Sequence, residues 1–155
     1  MLRFLASSDN TGGAISHSPC LHSIAAINKT YFGITAMVES EYKQYADDSL
    51  NVFAFSSQAK GFFAILEHGG VDAMPDKTKE IYLNERNLRR YQKLRALADQ
   101  RNESIPTLVL AALISDPNIN AFAQIGPQNI KELSASLMGA DVSLLETERR
   151  FLLED

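Results

Sequence analysis

The fold of this chain is decided by residues 52–63, which have the sequence VFAFSSQAKGFF. An apolar run over residues 52–55 leads directly into a small, polar loop that ends at Gly61. A continuous apolar run is typical of a strand that a parallel sheet buries on both faces. In parallel α/β barrels, the loops that follow such strands carry the ligand-binding residues at the carboxyl edge of the sheet. The stretch therefore predicts a barrel strand that delivers the residues after it to a ligand.

The composition is that of a soluble globular unit. The chain has 155 residues, of which 45% are hydrophobic and 22% are charged. Its net charge of −4 gives no overall attraction to nucleic acid or to an anionic membrane. Cys20 is the single cysteine, so an internal disulfide is excluded. The apolar start is too short for a signal peptide and residues 108–114 are too few to span a bilayer, so we expect a cytoplasmic protein.

Predicted strands and helices alternate along the chain, which indicates parallel strands joined by helical crossovers. Between the third strand and the helix after it lies a long connection rich in residues that break regular structure, including Gly69, Gly70 and Pro75. Four strands with outer helices amount to half of an eight-stranded (β/α)8 barrel, which needs about 250 residues when complete. The strands are predicted at 2–6, 32–38, 51–55 and 121–125, and the helices at 15–28, 84–100, 104–114, 130–138 and 144–153, with a short helix or turn at 41–46.

Four segments, in order and at the right spacing, resemble the carboxyl-terminal half of an aldo/keto reductase. They are LRFLASSD at 2–9, VFAFSSQAKG at 52–61, LADQRNESIPTLVLAALI at 97–114 and QIGPQNIKELSASL at 124–137. Their counterparts are the fifth strand of that family, the seventh strand with its loop, the helix after it, and the last strand with its following helix. The resemblance implies that residues 1–155 form a single partial domain, half of a TIM barrel with about four parallel strands.

The resemblance also implies a coenzyme, a nicotinamide dinucleotide (NADP or NAD) lying across the carboxyl face of the barrel. Ser8 and Asp9 match the pair that hydrogen-bonds the carboxamide, and Phe55 matches the aromatic residue that stacks on the nicotinamide ring. Residues 56–60 match the loop that wraps the pyrophosphate, and residues 126–128 match a site near the ribose phosphate. The complete set of implied coenzyme-binding residues is Ser8, Asp9, Phe55, Ser56, Ser57, Gln58, Lys60, Gly126, Pro127, Gln128 and Ser136.

Several of these positions depart from the family pattern. Asp9 stands where the family has Asn, and Ala36 falls near a Gln that would bind the carboxamide. Glu132 falls where Arg or Gln is usual, and a carboxylate there would repel a 2′-phosphate by about 1 kcal/mol at 4 Å in water. Glu132 therefore disfavours NADPH. The remaining departures are Phe55 for Tyr, Ser57 and Gln58 for Pro-Leu, and Ala135 and Ser136 for the Glu-Asn pair that contacts adenine.

The family's catalytic Asp, Tyr, Lys and His lie on the first four strands of the barrel, and no residue of this chain takes their place. The expected function is therefore the coenzyme-binding half of an oxidoreductase whose intact form transfers hydride to a small carbonyl substrate, with no catalytic residue and no turnover from this half alone. The alternative is a non-catalytic half-barrel that serves as a binding or scaffold module. A half-barrel would also leave sheet edges unpaired beside its first and last strands, which predicts a homo-oligomer or a missing amino-terminal half as partner.

Other chemistry is weakly represented in the sequence. The basic run over residues 85–101 carries a net charge of +4 on a helix whose one aromatic residue, Tyr91, falls at an apolar spacing. A solvated outer face explains this run better than a nucleic-acid interface does, because stacking residues are not interleaved with it. His17 and His22 are five residues apart, whereas four places two ligands on one helix face, so no metal site is expected.

Overall fold

The computed structural model describes residues 4–6, 25, 51–54 and 56–154. The elements predicted at 15–28, 32–38 and 41–46 lie outside the described residues, apart from Ala25, which is buried. The fold that follows is therefore that of the carboxyl-terminal two thirds of the chain together with one strand from its start.

Three parallel strands form the sheet in the described part of the chain. They are β1 (Phe4–Ala6), β2 (Asn51–Ala54) and β3 (Asn120–Ile125), in the spatial order β1-β3-β2. The register runs from Phe4 opposite Ala123 to Ala6 opposite Ile125, while Ala54 also lies opposite Ala123. The prediction of parallel strands at these three places is confirmed, and their carboxyl ends share one edge of the sheet.

The pairing of β1 with β3 differs from the half-barrel expectation. In a complete barrel the fifth and eighth strands are not neighbours, so the last strand of an isolated half was predicted to have an open edge. That prediction is wrong, because β3 has β1 on one side and β2 on the other. The physical reason is the cost of unpaired backbone N–H and C=O groups, which favours any strand that can supply the missing ladder.

Six helices follow β2 in the described residues. The helices predicted at 84–100, 104–114, 130–138 and 144–153 are confirmed. The connection predicted between β2 and residue 84 is wrong, because it contains two helices. Gly69 is the last residue of one helix, Gly70 follows it, and Pro75 directly precedes the next helix, as these residue types often do. The helices are α1 (Phe62–Gly69), α2 (Asp76–Tyr82), α3 (Glu85–Arg101), α4 (Ile105–Ile114), α5 (Ile130–Asp141) and α6 (Glu146–Leu153).

The confirmed helices begin where side chains can accept from their free N–H groups. The Asn84 side chain accepts from the N–H of Asn87 at the start of α3. The predicted cap Ser104 accepts from the N–H of Thr107 at the start of α4, with Pro106 in the first turn. Such caps stabilise a helix by about 1 kcal/mol each, which explains why these boundaries are visible in the sequence.

Helix α4 is the centre of the hydrophobic core. Its residues from Thr107 to Leu113 are all buried, so it is apolar on every side. Leu110 and Leu113 pack with Ala54, Ala121 and Ala123 of the sheet. The opposite side of α4 packs into a second cluster formed with the outer helices, whose largest fully buried members are Tyr82, Phe62, Phe63, Ile81, Leu94, Leu108 and Leu152.

Helix α6 is held to the rest of the chain by charged side chains. Arg101 at the end of α3 donates two hydrogen bonds to the carboxylate of Glu148, at 2.8 and 2.7 Å. Arg149 pairs with the buried carboxylate of Asp116 and also donates to the carbonyl of Ala112 at 3.3 Å. These contacts fix α6 against the ends of α3 and α4.

Candidate functional site

The loops after β2 and β3 meet at the carboxyl edge of the sheet. Ser57 is 1% exposed, and its hydroxyl donates to the carbonyl of Gln124 at 2.6 Å. Gln124 lies one residue beyond the last β2–β3 pair, so this bond continues the strand ladder after β2 has ended. The side-chain amide of Gln58 then donates to the hydroxyl of Ser136 on α5 at 3.3 Å. Two side chains thus hold the loop after β2 against the β3–α5 unit.

The backbone of the loop after β2 is left-handed at most of its positions. Ser56, Ala59 and Lys60 have φ angles of 51°, 52° and 53°, and Gly61 follows at 77°. The turn is closed by a 2.7 Å bond from the Ala59 N–H to the Ser56 carbonyl and by a 2.9 Å bond from Gly61 to Gln58. Non-glycine residues pay about 1–2 kcal/mol each for this conformation. Backbone strain of this kind concentrates at functional sites.

This turn delivers the chain to an uncapped helix N-terminus. Helix α1 begins directly after Gly61, with the N–H of Phe62 donating to the carbonyl of Ala59. No capping side chain accepts from its N–H groups, and its first turn has no acidic residue. Lys60 is exposed immediately before it. Free backbone N–H groups and the positive end of the helix dipole favour an anion at such a place. The loop after β2 therefore suits a phosphate group.

The N-terminus of α5, which follows β3, is built differently. The carboxylate of Glu132 accepts from the backbone N–H of Gln128 at 2.8 Å and from the side-chain amide of Asn129 at 2.9 Å. In return the Asn129 side chain accepts from the N–H of Glu132 at 3.0 Å. The protein's own carboxylate thus occupies the place where a bound anion would accept hydrogen bonds.

The structure brings some of the sequence-predicted site residues together. Ser57, Gln58 and Ser136 form one contact network, although Ser57 and Ser136 are buried and are hydrogen-bonded within the protein. Ser56 and Lys60 lie on the same left-handed turn. Gly126, Pro127 and Gln128 are exposed beyond the end of β3. Ser8, Asp9 and Phe55 lie outside the described residues, and their predicted roles stay predictions.

Sequence reasoning missed two features of this region. From the sequence, Gly61 is predicted only to end a loop. In the structure it is the left-handed residue that directly precedes α1. From the sequence, Glu132 is predicted only to repel a phosphate. In the structure its carboxylate caps the start of α5. The second feature had a readable signal, since Asn129 followed three residues later by Glu132 matches the capping-box pattern.

The described residues offer no sign of two other kinds of site. No group of three or more His, Cys, Asp and Glu side chains among them could hold a metal ion. A membrane-crossing helix is also not found there, because none of the described helices is both long and apolar enough.

A search of solved structures connects this architecture with a known enzyme family. The chain matches the crystal structure of the thermostable aldo-keto reductase Tm1743 in complex with the inhibitor epalrestat, at a TM-score of 0.50 and 16% sequence identity. The fold is similar to that of an aldo-keto reductase. The match covers 74% of this chain and 33% of the reductase, so the chain spans about a third of that protein. No protein-family model matches the sequence, and no curated protein matches it either.

Proposed function

We propose that this chain is the coenzyme-binding half of an oxidoreductase of the aldo/keto reductase type, and that its loop after β2 binds the pyrophosphate of a nicotinamide dinucleotide. The observation that carries the proposal is the uncapped N-terminus of α1, presented by a strained turn beside the exposed Lys60. The aldo-keto reductase-like fold supports it, because folds of parallel β/α units carry ligand-binding loops after the carboxyl ends of their strands.

The residues of the turn fit such a ligand in distinct ways. The N–H groups of the first turn of α1 that follow Phe62 would donate to phosphate oxygens, and the Lys60 ammonium would offset the negative charge of the phosphate. Ser57 and Gln58 would hold the turn in place through their bonds to Gln124 and Ser136, at no entropic cost at the moment of binding. The nicotinamide of the bound coenzyme would supply the hydride for a carbonyl substrate.

Glu132 sets the expected preference between the two coenzymes. Its carboxylate already accepts the N–H of Gln128, so the α5 N-terminus is satisfied and negatively charged. A second anion would meet repulsion rather than free donors. We therefore propose that the site prefers NADH to NADPH, with the other residues needed for turnover supplied by a separate barrel half.

A titration of the purified chain with NADH and with NADPH, followed by nicotinamide fluorescence, tests this function. We expect saturable binding that is tighter for NADH and weakened at least about fivefold by Lys60→Gln, since one charge-assisted contact is lost. Lys77→Gln on α2 is the matched control and should bind as the unmodified chain does. Absence of binding at millimolar coenzyme would contradict the proposal.

The alternative is a non-catalytic half-barrel that binds or scaffolds without a coenzyme. One observation favours it: β1 occupies the edge of β3 to which another barrel strand would have to pair. A chain that unfolds cooperatively on heating, yet binds neither NADH nor NADPH, would support this alternative over the first proposal.

A further inference from the structure

Helix α5 presents its large apolar side chains away from the rest of the described residues. Its buried residues are Ser136 and Gly139, and a Cβ atom at Gly139 would lie 3.0 Å from the Cβ of Leu110 and 3.1 Å from the carbonyl of Thr107. The small side of α5 is thus pressed against α4. The opposite side carries what we name the α5 stripe, which consists of Ile130, Leu133, Leu137 and Met138, all exposed.

The spacing of the α5 stripe is that of a packing face. Its members recur at i, i+3, i+7 and i+8, which is the pattern of a helix side that faces a core. Ile130 is nevertheless 83% exposed and Met138 is 52% exposed. Isolated exposed apolar residues are ordinary on protein surfaces, whereas a continuous row of four on one helix face indicates an interaction surface.

The charges at the two ends of α5 favour a second copy of the chain as the occupant of the α5 stripe. Glu132, near the start of the helix, is already bonded to Gln128 and Asn129. Lys131 lies at the start of the helix and Asp141 at its end, and both are exposed. When two copies of α5 pack antiparallel, the start of one lies beside the end of the other. Lys131 of each copy then comes level with Asp141 of the other, and two-fold symmetry produces this ion pair twice. A parallel arrangement would instead place like charges together.

We propose that the α5 stripe is the interface of a homodimer in which two copies of the chain pack α5 against α5 in antiparallel orientation. The helix has 12 residues and is therefore about 18 Å long. One helix pair buries less than the roughly 800 Å² per partner of a standard interface. The dimer is accordingly weak and forms at micromolar rather than nanomolar concentrations of the chain.

Sedimentation velocity of the full chain between about 10 and 300 μM tests the dimer. The expected result is a concentration-dependent rise from monomer to dimer, abolished by Leu137→Lys. The control is Leu88→Lys on α3, because Leu88 and Leu137 are both 36% exposed and only Leu137 belongs to the stripe. Circular dichroism establishes that each variant is folded. A monomer at every concentration overturns the proposal and assigns the stripe to a different polypeptide, and a dimer that survives Leu137→Lys overturns it by placing the interface elsewhere.

A charge exchange tests the antiparallel orientation. Lys131→Asp is expected to weaken dimerisation at least about threefold, because Asp then faces Asp141 at both ends of the pair. The double variant Lys131→Asp with Asp141→Lys restores the opposite charges and is expected to recover the dimer. A double variant that is no stronger than the single one would contradict the antiparallel arrangement. Neither residue belongs to the proposed coenzyme loop, so failure here leaves the coenzyme titration unaffected.

Discussion

The N-termini of α1 and α5 lie after neighbouring strands of one parallel sheet, yet the first has no capping side chain and the second is capped. Before α1 the backbone is strained into a left-handed turn, no side chain caps the helix, and Lys60 adds a positive charge. Before α5 the backbone N–H of Gln128 and the amide of Asn129 are both satisfied by Glu132. The difference teaches that equivalent places in a repeated β/α fold need not serve the same ligand.

Helix α6 supports this comparison from outside the sheet. The backbone N–H of Leu145 donates to the carboxylate of Glu148 at 2.8 Å, so a carboxylate three residues into the helix caps it, as Glu132 does in α5. Internal carboxylates thus close two helix N-termini whose surroundings are unstrained. Of these three helices, only α1 has neither a capping side chain nor an acidic residue in its first turn.

The largest expected effect comes from the bond that holds the open turn to the sheet. Ser57→Ala should lower the free energy of unfolding by about 0.5–1.5 kcal/mol, because the hydrogen bond from the buried Ser57 hydroxyl to the carbonyl of Gln124 is lost. Chemical denaturation followed by circular dichroism measures the change. Ser134→Ala, at an exposed serine on α5, is the control and should be close to neutral. Equal stability of the two variants would show that the turn is held by something else.

Removing the internal carboxylate of α5 should make the two N-termini more alike. Glu132→Gln is expected to cost about 0.5–1 kcal/mol of stability, because a charged group at the helix start is lost. It should also narrow the preference for NADH over NADPH, since the repulsion of a 2′-phosphate is removed. The ratio of the two dissociation constants, measured by fluorescence titration, is the relevant quantity. An unchanged ratio would show that Glu132 does not face the coenzyme.

Relaxing the strained turn should separate stability from binding. Lys60→Gly is expected to raise the free energy of unfolding by up to about 1 kcal/mol, because glycine adopts a φ of 53° without a steric penalty. Coenzyme binding should weaken in the same variant, since the charge is gone. Lys77→Gly within α2 is the matched control and should destabilise the chain by about 1 kcal/mol. Destabilisation by both substitutions would contradict the strain argument.

The smallest effect concerns pH and the closed N-terminus of α6. Burial acts to raise the pKa of Glu148, but hydrogen bonds from the Leu145 N–H and from Arg101, with the positive charge of Arg101, bring that pKa below its usual value of 4.5. A lowered pKa in the folded state means that Glu148 stabilises the protein above pH ~4.5 and loses this contribution as the pH falls through the folded pKa. The loss of unfolding free energy between pH 6 and pH 3 should be smaller in Glu148→Gln than in the unmodified chain by about 0.3–1 kcal/mol. Glu146→Gln, at an exposed position in the same turn, is the matched control and should change stability at pH 6 less than Glu148→Gln does.

Much of the described fold was predictable because its signals are local. The apolar spacing of α3 and the caps Asn84 and Ser104 fix where helices start and end. Local signals mislead for α1 and α2. In the sequence Gly69, Gly70 and Pro75 indicate a loop, whereas in the structure they mark helix boundaries. Glycine and proline occur both where one helix ends and where the next begins. Their presence in a segment therefore does not show how much of that segment is helical.

The site was predictable in its residues and not in its geometry. The apolar-to-polar change within residues 52–63 located the loop, but no residue type reveals that Ala59 and Lys60 have positive φ angles. The pairing of β1 with β3 was not predictable either. The sequence of a strand indicates that it will join a sheet, but not which strand it will pair with. Long-range pairing and backbone strain are properties of the folded chain as a whole.

The position of β1 has a consequence for how this chain could ever join a larger barrel. A strand of another chain could pair with β3 only after β1 had separated from it. The three residue pairs of the β1–β3 ladder would have to open first. Such a union would proceed as an exchange reaction with its own activation barrier, and at saturating partner its rate would be set by the departure of β1. Assembly of this chain with another barrel half would therefore be slow.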